Sequence, residues 1–165
     1  MCIRDRSNSG NELGAELLQN QLHEAGCDAD VHLLRDVYSY SHIDTTVAFL
    51  REGLILANPS RIKDKDDLPA PFNSWDIVYA PQAIDIGSYT GYNNMSVWVN
   101  MNLFSVNQGL VALEETQEPT RKLLESHGIE CAMLPMRHQR TLSGGYHCVT
   151  PVSYTHLTLP TIYSV

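Results

Sequence analysis

The chain has 165 residues, a formal charge of −8 at pH 7 and 43% hydrophobic residues. That length allows one domain with a real core. The acidic balance, with no Lys/Arg cluster, excludes a phosphate-neutralising nucleic-acid binder, and no apolar run reaches the length of a membrane span. The chain is therefore expected to bind no nucleic acid and no membrane. Four cysteines, Cys2, Cys27, Cys131 and Cys148, lack regular spacing and a C-x-x-C pair. This argues against a disulfide framework and a structural zinc site, and a reducing cytoplasm suits such a chain.

The two ends are related in an unusual way. Met1-Cys2-Ile3-Arg4-Asp5 can be encoded by a string whose reverse complement encodes Val152-Ser153-Tyr154-Thr155-His156. Two ends of a natural gene have no reason to be reverse complements, whereas a sequencing adapter on both ends has. Residues 1–6 and 151–165 are therefore read as translated adapter and set aside. Residues 7–150 are read as a fragment of one domain.

In chain order, Asn11 to Ala25 is a helix: Leu13, Leu17, Leu18 and Leu22 recur at helical spacing. Asn11 is its N-cap and Gly26 its stop. A strand follows at Asp30 to Leu34, then a loop leading to His42-Ile43-Asp44. Thr45 to Leu50 and Leu54 to Ala57 form a hairpin around Glu52-Gly53. Asp66 to Asn73 is a short helix broken by proline, and Trp75 to Ala80 a strand. A Gly/Asn/Tyr-rich loop reaches Ser96 and Trp98. Val99 to Val106 pairs with Leu110 to Glu114 around Gln108-Gly109. A helix from Glu118 to His127, with Pro119 in its first turn, precedes a strand at Ile129 to Leu134. Gly144 to Cys148 follows. His42, Ser96 and Cys148 lie 54 and 52 residues apart. A module recurring at that period suggests a radial repeat whose loops converge; ordinary α/β alternation is the plainer reading.

Convergence would bring a histidine, a carboxylate and a thiol together. In an extended chain, residues i and i+2 share a face. His42 and Asp44 would then point the same way, while His147 would point away from Cys148. On that geometry the histidine that works with Cys148 is His42. Gly144 and Gly145 allow a nucleophile to sit on a tight turn. Singly, Cys148 reads as a small buried hydrophobe, His42 as a core histidine and Asp44 as a turn residue. Together, at repeat-equivalent places, they read as a site. Trp98, Met101 and Phe104 read as packing, Lys63 to Asp67 as a solvated loop, and Cys27 and Cys131 as starts of buried strands.

The segments HIDTT (His42 to Thr46), LILANPSR (Leu54 to Arg61), MSVWVNMNLF (Met95 to Phe104) and SGGYHCVT (Ser143 to Thr150) resemble the amidinotransferases, in particular the glycine and inosamine-phosphate enzymes. The resemblance runs through most of residues 7–150. It implies an α/β class and part of a five-bladed α/β propeller, the pentein fold, with fewer than three modules present. Residues 7–150 would be a fragment of the catalytic domain. The implied chemistry moves the amidino group of L-arginine to an acceptor amine through a covalent amidino-cysteine, releasing ornithine, with no metal or organic cofactor. Cys148 would be the nucleophile, His42 the general acid/base and Asp44 a contact to the guanidinium. Arg61 would hold the amino-acid carboxylate and Ser96 the amino-acid part of the substrate. The full-length enzyme would be a candidate homodimer.

Three departures stand out. The family's other guanidinium-binding aspartates fall before Ser7, the loop Tyr38-Ser39-Tyr40-Ser41 differs from the glycine-specific form, and Ser143 stands where glycine is usual. A guanidine hydrolase such as an arginine or agmatine deiminase, or a non-catalytic binding protein, would use the same scaffold. The 165-residue chain alone is expected to be inactive and poorly soluble, since an open ring leaves strand edges unpaired.

Overall fold

Two bulged hairpins set the architecture. In the computed structural model, residues 2–5, 11–34, 43–85, 96–137, 139–142 and 144–150 are described. His42, His138, Ser143, the loop 38–41 and residues 151–165 lie outside them. The strands are β1 (Cys2–Asp5), β2 (Val31–Leu34), β3 (Val47–Arg51), β4 (Leu54–Ala57), β5 (Asp76–Tyr79), β6 (Phe104–Asn107), β7 (Leu110–Glu114) and β8 (Glu130–Leu134). The helices are α1 (Glu12–Glu24), α2 (Glu118–Ser126), α3 (Gln139–Leu142) and α4 (Tyr146–Val149), and 3₁₀ turns cover Ile43–Thr45, Lys65–Asp67, Phe72–Ser74 and Val99–Met101.

Strands β3-β4-β5 and β6-β7-β8 form two three-stranded sheets of identical plan. In each, an antiparallel hairpin is followed by a crossover to a parallel third strand. Each hairpin carries one register shift in its first strand, between Phe49 and Arg51 and between Ser105 and Asn107. Such a bulge adds a residue on one strand and increases local twist. A 3₁₀ turn precedes each hairpin, at Ile43–Thr45 and Val99–Met101. The repeat expected from spacing is therefore present as two matching units. The second crossover is α2, the first a pair of 3₁₀ turns around Pro69 and Pro71 rather than one short helix.

The core follows from strand alternation. Leu54, Ile55, Leu56 and Ala57 of β4 are all buried. Leu54 and Leu56 face a cluster with Leu50, Val78, Met101, Leu103, Val111, Leu113, Leu124 and Ile129, which joins the two sheets. Ile55 and Ala57 face the other way, onto Leu34, Val47, Ile62, Leu68 and Phe72. A continuous apolar run is what a strand covered on both faces needs. Met101 is in the core and Trp98 packs against it, as expected.

Helix termini obey their local chemistry. The Asn11 side chain accepts from Gly14 N at 2.7 Å, and Gly26, at φ 73°, ends α1. In α2, Arg121 pairs with Glu118 and Glu125 on the exposed side, while Thr120 and Leu124 turn inward. The leucine stripe of α1 is only half used: Leu13 and Leu17 are 64% and 57% exposed. Three expectations are corrected. The segment expected as one strand from Val99 to Val106 begins with a 3₁₀ turn, because Met101 and Asn102 N–H groups bond back to Trp98 and Val99 carbonyls. His42-Ile43-Asp44 was expected to be extended, yet Asp44 lies in a 3₁₀ turn. Cys27 is exposed in the stretch before β2 rather than buried. Strand β1 pairs in parallel with β2; this is main-chain bonding and carries no mark of the segment's origin.

Leu56 is fully buried at the centre of the joining cluster. Leu56→Ala removes apolar contact and leaves a cavity, so it lowers unfolding free energy by about 2–5 kcal/mol. Urea denaturation checks this; a loss under about 1 kcal/mol would place Leu56 outside the core.

Candidate active site

Three short segments from separate parts of the chain meet at the Asp44 carboxylate. Asp44 is buried, at 8% exposure. Its Oδ2 accepts from Asn102 Nδ2 at 2.7 Å, from His147 Nδ1 at 3.2 Å and from the Cys148 thiol at 3.3 Å. The 3₁₀ turn at Ile43–Thr45 supplies Asp44, the residue following the turn at Val99–Met101 is Asn102, and α4 supplies His147 and Cys148.

Asn102 ties these segments together. It is 4% exposed. Its Oδ1 accepts from the backbone N–H of Gly145 at 2.9 Å and of Cys148 at 3.0 Å. Its Nδ2 also reaches Cys148 Sγ at 2.9 Å. Gly145 packs so closely here that a Cβ would stand 2.2 Å from the Asn102 carbonyl oxygen and 2.8 Å from its Cβ. A Cβ on Gly144 would stand 3.2 Å from Cys148 Cβ. The two glycines thus serve close backbone approach.

Behind Asp44, Arg61 donates through Nη1 to Thr45 Oγ1 at 3.1 Å and Thr46 Oγ1 at 2.7 Å. The loop that carries it is braced by Asn58, whose Nδ2 donates to Thr45 O at 2.8 Å and whose Oδ1 accepts from Ser60. Arg61 is therefore docked beside the turn that holds Asp44.

Of the residues singled out in the sequence, Asp44 and Cys148 are brought into contact and Arg61 is docked on the turn that holds Asp44. Ser96 has a local role in the structure, its hydroxyl accepting from Trp98 N at 3.2 Å. His42 lies outside the described residues. The expectation that His147 faces away from Cys148 is corrected. Residues 146–149 form a helical turn, not an extended strand, so neighbouring side chains are not on opposite faces. Sequence reasoning missed Asn102 in the site. A polar residue inside the apolar run of MSVWVNMNLF was the available signal, because a buried amide needs partners.

The electrostatics follow from the contacts. The hydrogen bond to Asp44, with a second to Cys148, raises the His147 imidazole to about 9, against the opposing effect of burial. His147 is thus a cation at neutral pH, and it balances the buried carboxylate. Among the described residues, no group of three or more His, Cys, Asp or Glu is arranged to hold a metal ion.

No protein-family model matches the chain. It is 42% identical over 144 residues to inosamine-phosphate amidinotransferase 1 of Streptomyces glaucescens, covering 87% of this chain and 40% of that protein. It is 33% identical over 150 residues to the L-arginine:L-lysine amidinotransferase of Pseudomonas savastanoi pv. phaseolicola, covering 90% of this chain and 39% of that protein. Its structure superposes on that of inosamine-phosphate amidinotransferase StrB1 of Streptomyces griseus with a TM-score of 0.79 at 40% identity, over 88% of this chain and 41% of the other. The fold alone is shared with a dimethylarginine dimethylaminohydrolase, at 18% identity and a TM-score of 0.60 over 88% of this chain and 50% of that one.

Two predictions follow from the geometry. Gly145→Ala forces a methyl group onto Asn102; it should cost about 1–3 kcal/mol of stability by overpacking and slow Cys148 alkylation. A variant as stable as the parent in urea, with unchanged alkylation, would contradict the close approach. The second concerns pH. The His147 value is raised in the folded state, so its contribution to stability is complete below the ordinary value of 6.5 and is lost as pH rises through about 9. The difference in Tm between the parent and His147→Gln should therefore be largest near pH 6 and fade above about pH 9. A pH-independent difference would contradict the ion pair.

The chain spans about two fifths of the length of these curated relatives, and over that span it is similar in sequence and in its pentein fold to the amidinotransferases.

Proposed function

We propose that this chain carries the nucleophile side of a site that moves the amidino group of L-arginine to an acceptor amine. The observation that carries the reading is the Cys148 thiol, held 3.3 Å from the buried Asp44 carboxylate and 2.9 Å from the Asn102 amide. A thiolate is the reactive form of cysteine, and covalent catalysis splits one difficult transfer into two easier ones. The Cys148 sulfur attacks the guanidinium carbon. The bond from that carbon to the side-chain nitrogen breaks, ornithine leaves after that nitrogen gains a proton, and an amidino group remains on sulfur. The acceptor amine then attacks the same carbon, loses a proton, and expels the thiolate.

His42 is assigned the two proton transfers. His147 is less suited to take up a proton, because it already holds one at neutral pH. Asp44 is assigned to the guanidinium. Arg61 is assigned to the arginine carboxylate, a task that suits its planar fork, and Ser96 to the amino-acid part of the substrate. Arginine as donor is supported by the name of the Pseudomonas relative and by the placement of Arg61. We assign the reaction to a complete polypeptide of the relatives' length, in which further segments supply the rest of the site.

The test uses that complete protein with arginine labelled at the guanidino carbon, offered with and without an amine such as inosamine phosphate or lysine. Ornithine release that depends on the amine, with label in the acceptor, is expected. Cys148→Ala should abolish it. Citrulline and ammonia formed without any amine would overturn transfer in favour of hydrolysis. Undiminished turnover in Cys148→Ala would overturn the mechanism.

A further inference from the structure

We infer that Asn102 is a catalytic residue: its amide nitrogen bridges the Cys148 sulfur and the Asp44 carboxylate, and it donates to that sulfur when the sulfur acts as nucleophile. This rests on the reading of Cys148 as the nucleophile. The argument begins with the two ends of one side chain. The Asn102 oxygen is an acceptor only, and it is occupied by two backbone N–H groups, of Gly145 and Cys148. The nitrogen carries two N–H donors, and it has two acceptors within reach: Asp44 Oδ2 at 2.7 Å and Cys148 Sγ at 2.9 Å.

The sulfur is therefore placed between opposite requirements. As a thiol it donates to Asp44. As a thiolate it can no longer donate, and a carboxylate 3.3 Å away would repel it. The Asn102 N–H is the group that favours the charged sulfur, because a hydrogen bond to the charged form stabilises that form. His147 adds positive charge from the same helical turn. Among the described residues, Glu114 and Glu115 place negative charge near Tyr146 of α4, and Arg61 is docked on the turn that holds Asp44. Asn102 thus does two things at once: its oxygen fixes the turn, and its nitrogen serves the reacting atom.

Asn102→Asp separates these roles. The carboxylate keeps an oxygen for the Gly145 and Cys148 N–H groups but removes both donors and adds a negative charge. The experiment measures iodoacetamide alkylation of a protein of the relatives' full length against pH, following the Cys148 peptide by mass spectrometry, with Cys27, exposed in this structure, as internal reference. The variant should alkylate Cys148 at least about tenfold more slowly at neutral pH, because both donors are gone and a carboxylate has been added beside the sulfur. Cys27 should be unaffected. A second measurement needs no variant: in ¹⁵N-labelled parent protein, the Asn102 side-chain NH₂ resonances should move when Cys148 is deprotonated or alkylated. An Asn102→Asp rate and pH profile equal to the parent's, or parent resonances that stay fixed on alkylation, would overturn the inference. Arginine turnover has no part in either readout. Loss of the substrate assignment and loss of the Asn102 assignment are therefore distinguishable.

Discussion

A carboxylate taken out of water must be compensated where it sits. An unpaired buried charge is expensive enough that the group would sooner take up a proton. Asp44 is nearly inaccessible, and its compensation comes from residues 58 and more positions away in the chain: Asn102, His147 and Cys148. That constraint draws three segments to one point. One carboxylate oxygen gathers an amide, an imidazolium and a thiol. The absent side chain at Gly145 is part of the same solution, because the Asn102 backbone occupies the space a Cβ would need.

The sheets make the meeting possible. Each repeats the order 3₁₀ turn, bulged hairpin, crossover and parallel strand, so the turn before each hairpin has an equivalent place. The apolar cluster from Leu50 to Ile129 joins the two units and holds the two turns at a fixed separation. Asp44 and Asn102 each hang from one of those turns, and α4 closes the site from a third segment. Rigid strands place the polar groups, and the short turns between them carry the chemistry, as expected where loops are held by a scaffold.

The scaffold was largely legible in the sequence. Leucine spacing, Asn11 and Gly26 set α1, Pro119 marks the start of α2, and the hairpins follow from alternation around Glu52-Gly53 and Gln108-Gly109. Apolar periodicity reports local structure, and these elements are locally determined. The site was half legible. Cys148 and Asp44 stood out as reactive types beside glycines and at repeat spacing. The orientation of His147 did not, because a four-residue helix is too short to show a period and is fixed here by contacts with Asn102 and Gly145. Asn102 was hidden for a related reason: its value lies in partners 43 and more residues away. Half of the α1 leucine stripe lies exposed, so helical spacing established the helix but not what covers it.

The central claim is that Asp44 and Cys148 share one site although 104 residues separate them. Asp44→Cys tests it directly. The side-chain contact between positions 44 and 148 brings them near enough for two thiols to meet once the short turns that carry them adjust. Mild oxidation followed by mass spectrometry should show an intramolecular bond between position 44 and Cys148, in preference to Cys27 or Cys131. Oxidation that links position 44 to the other cysteines equally, or that leaves it free while Cys148 pairs elsewhere, would contradict the account.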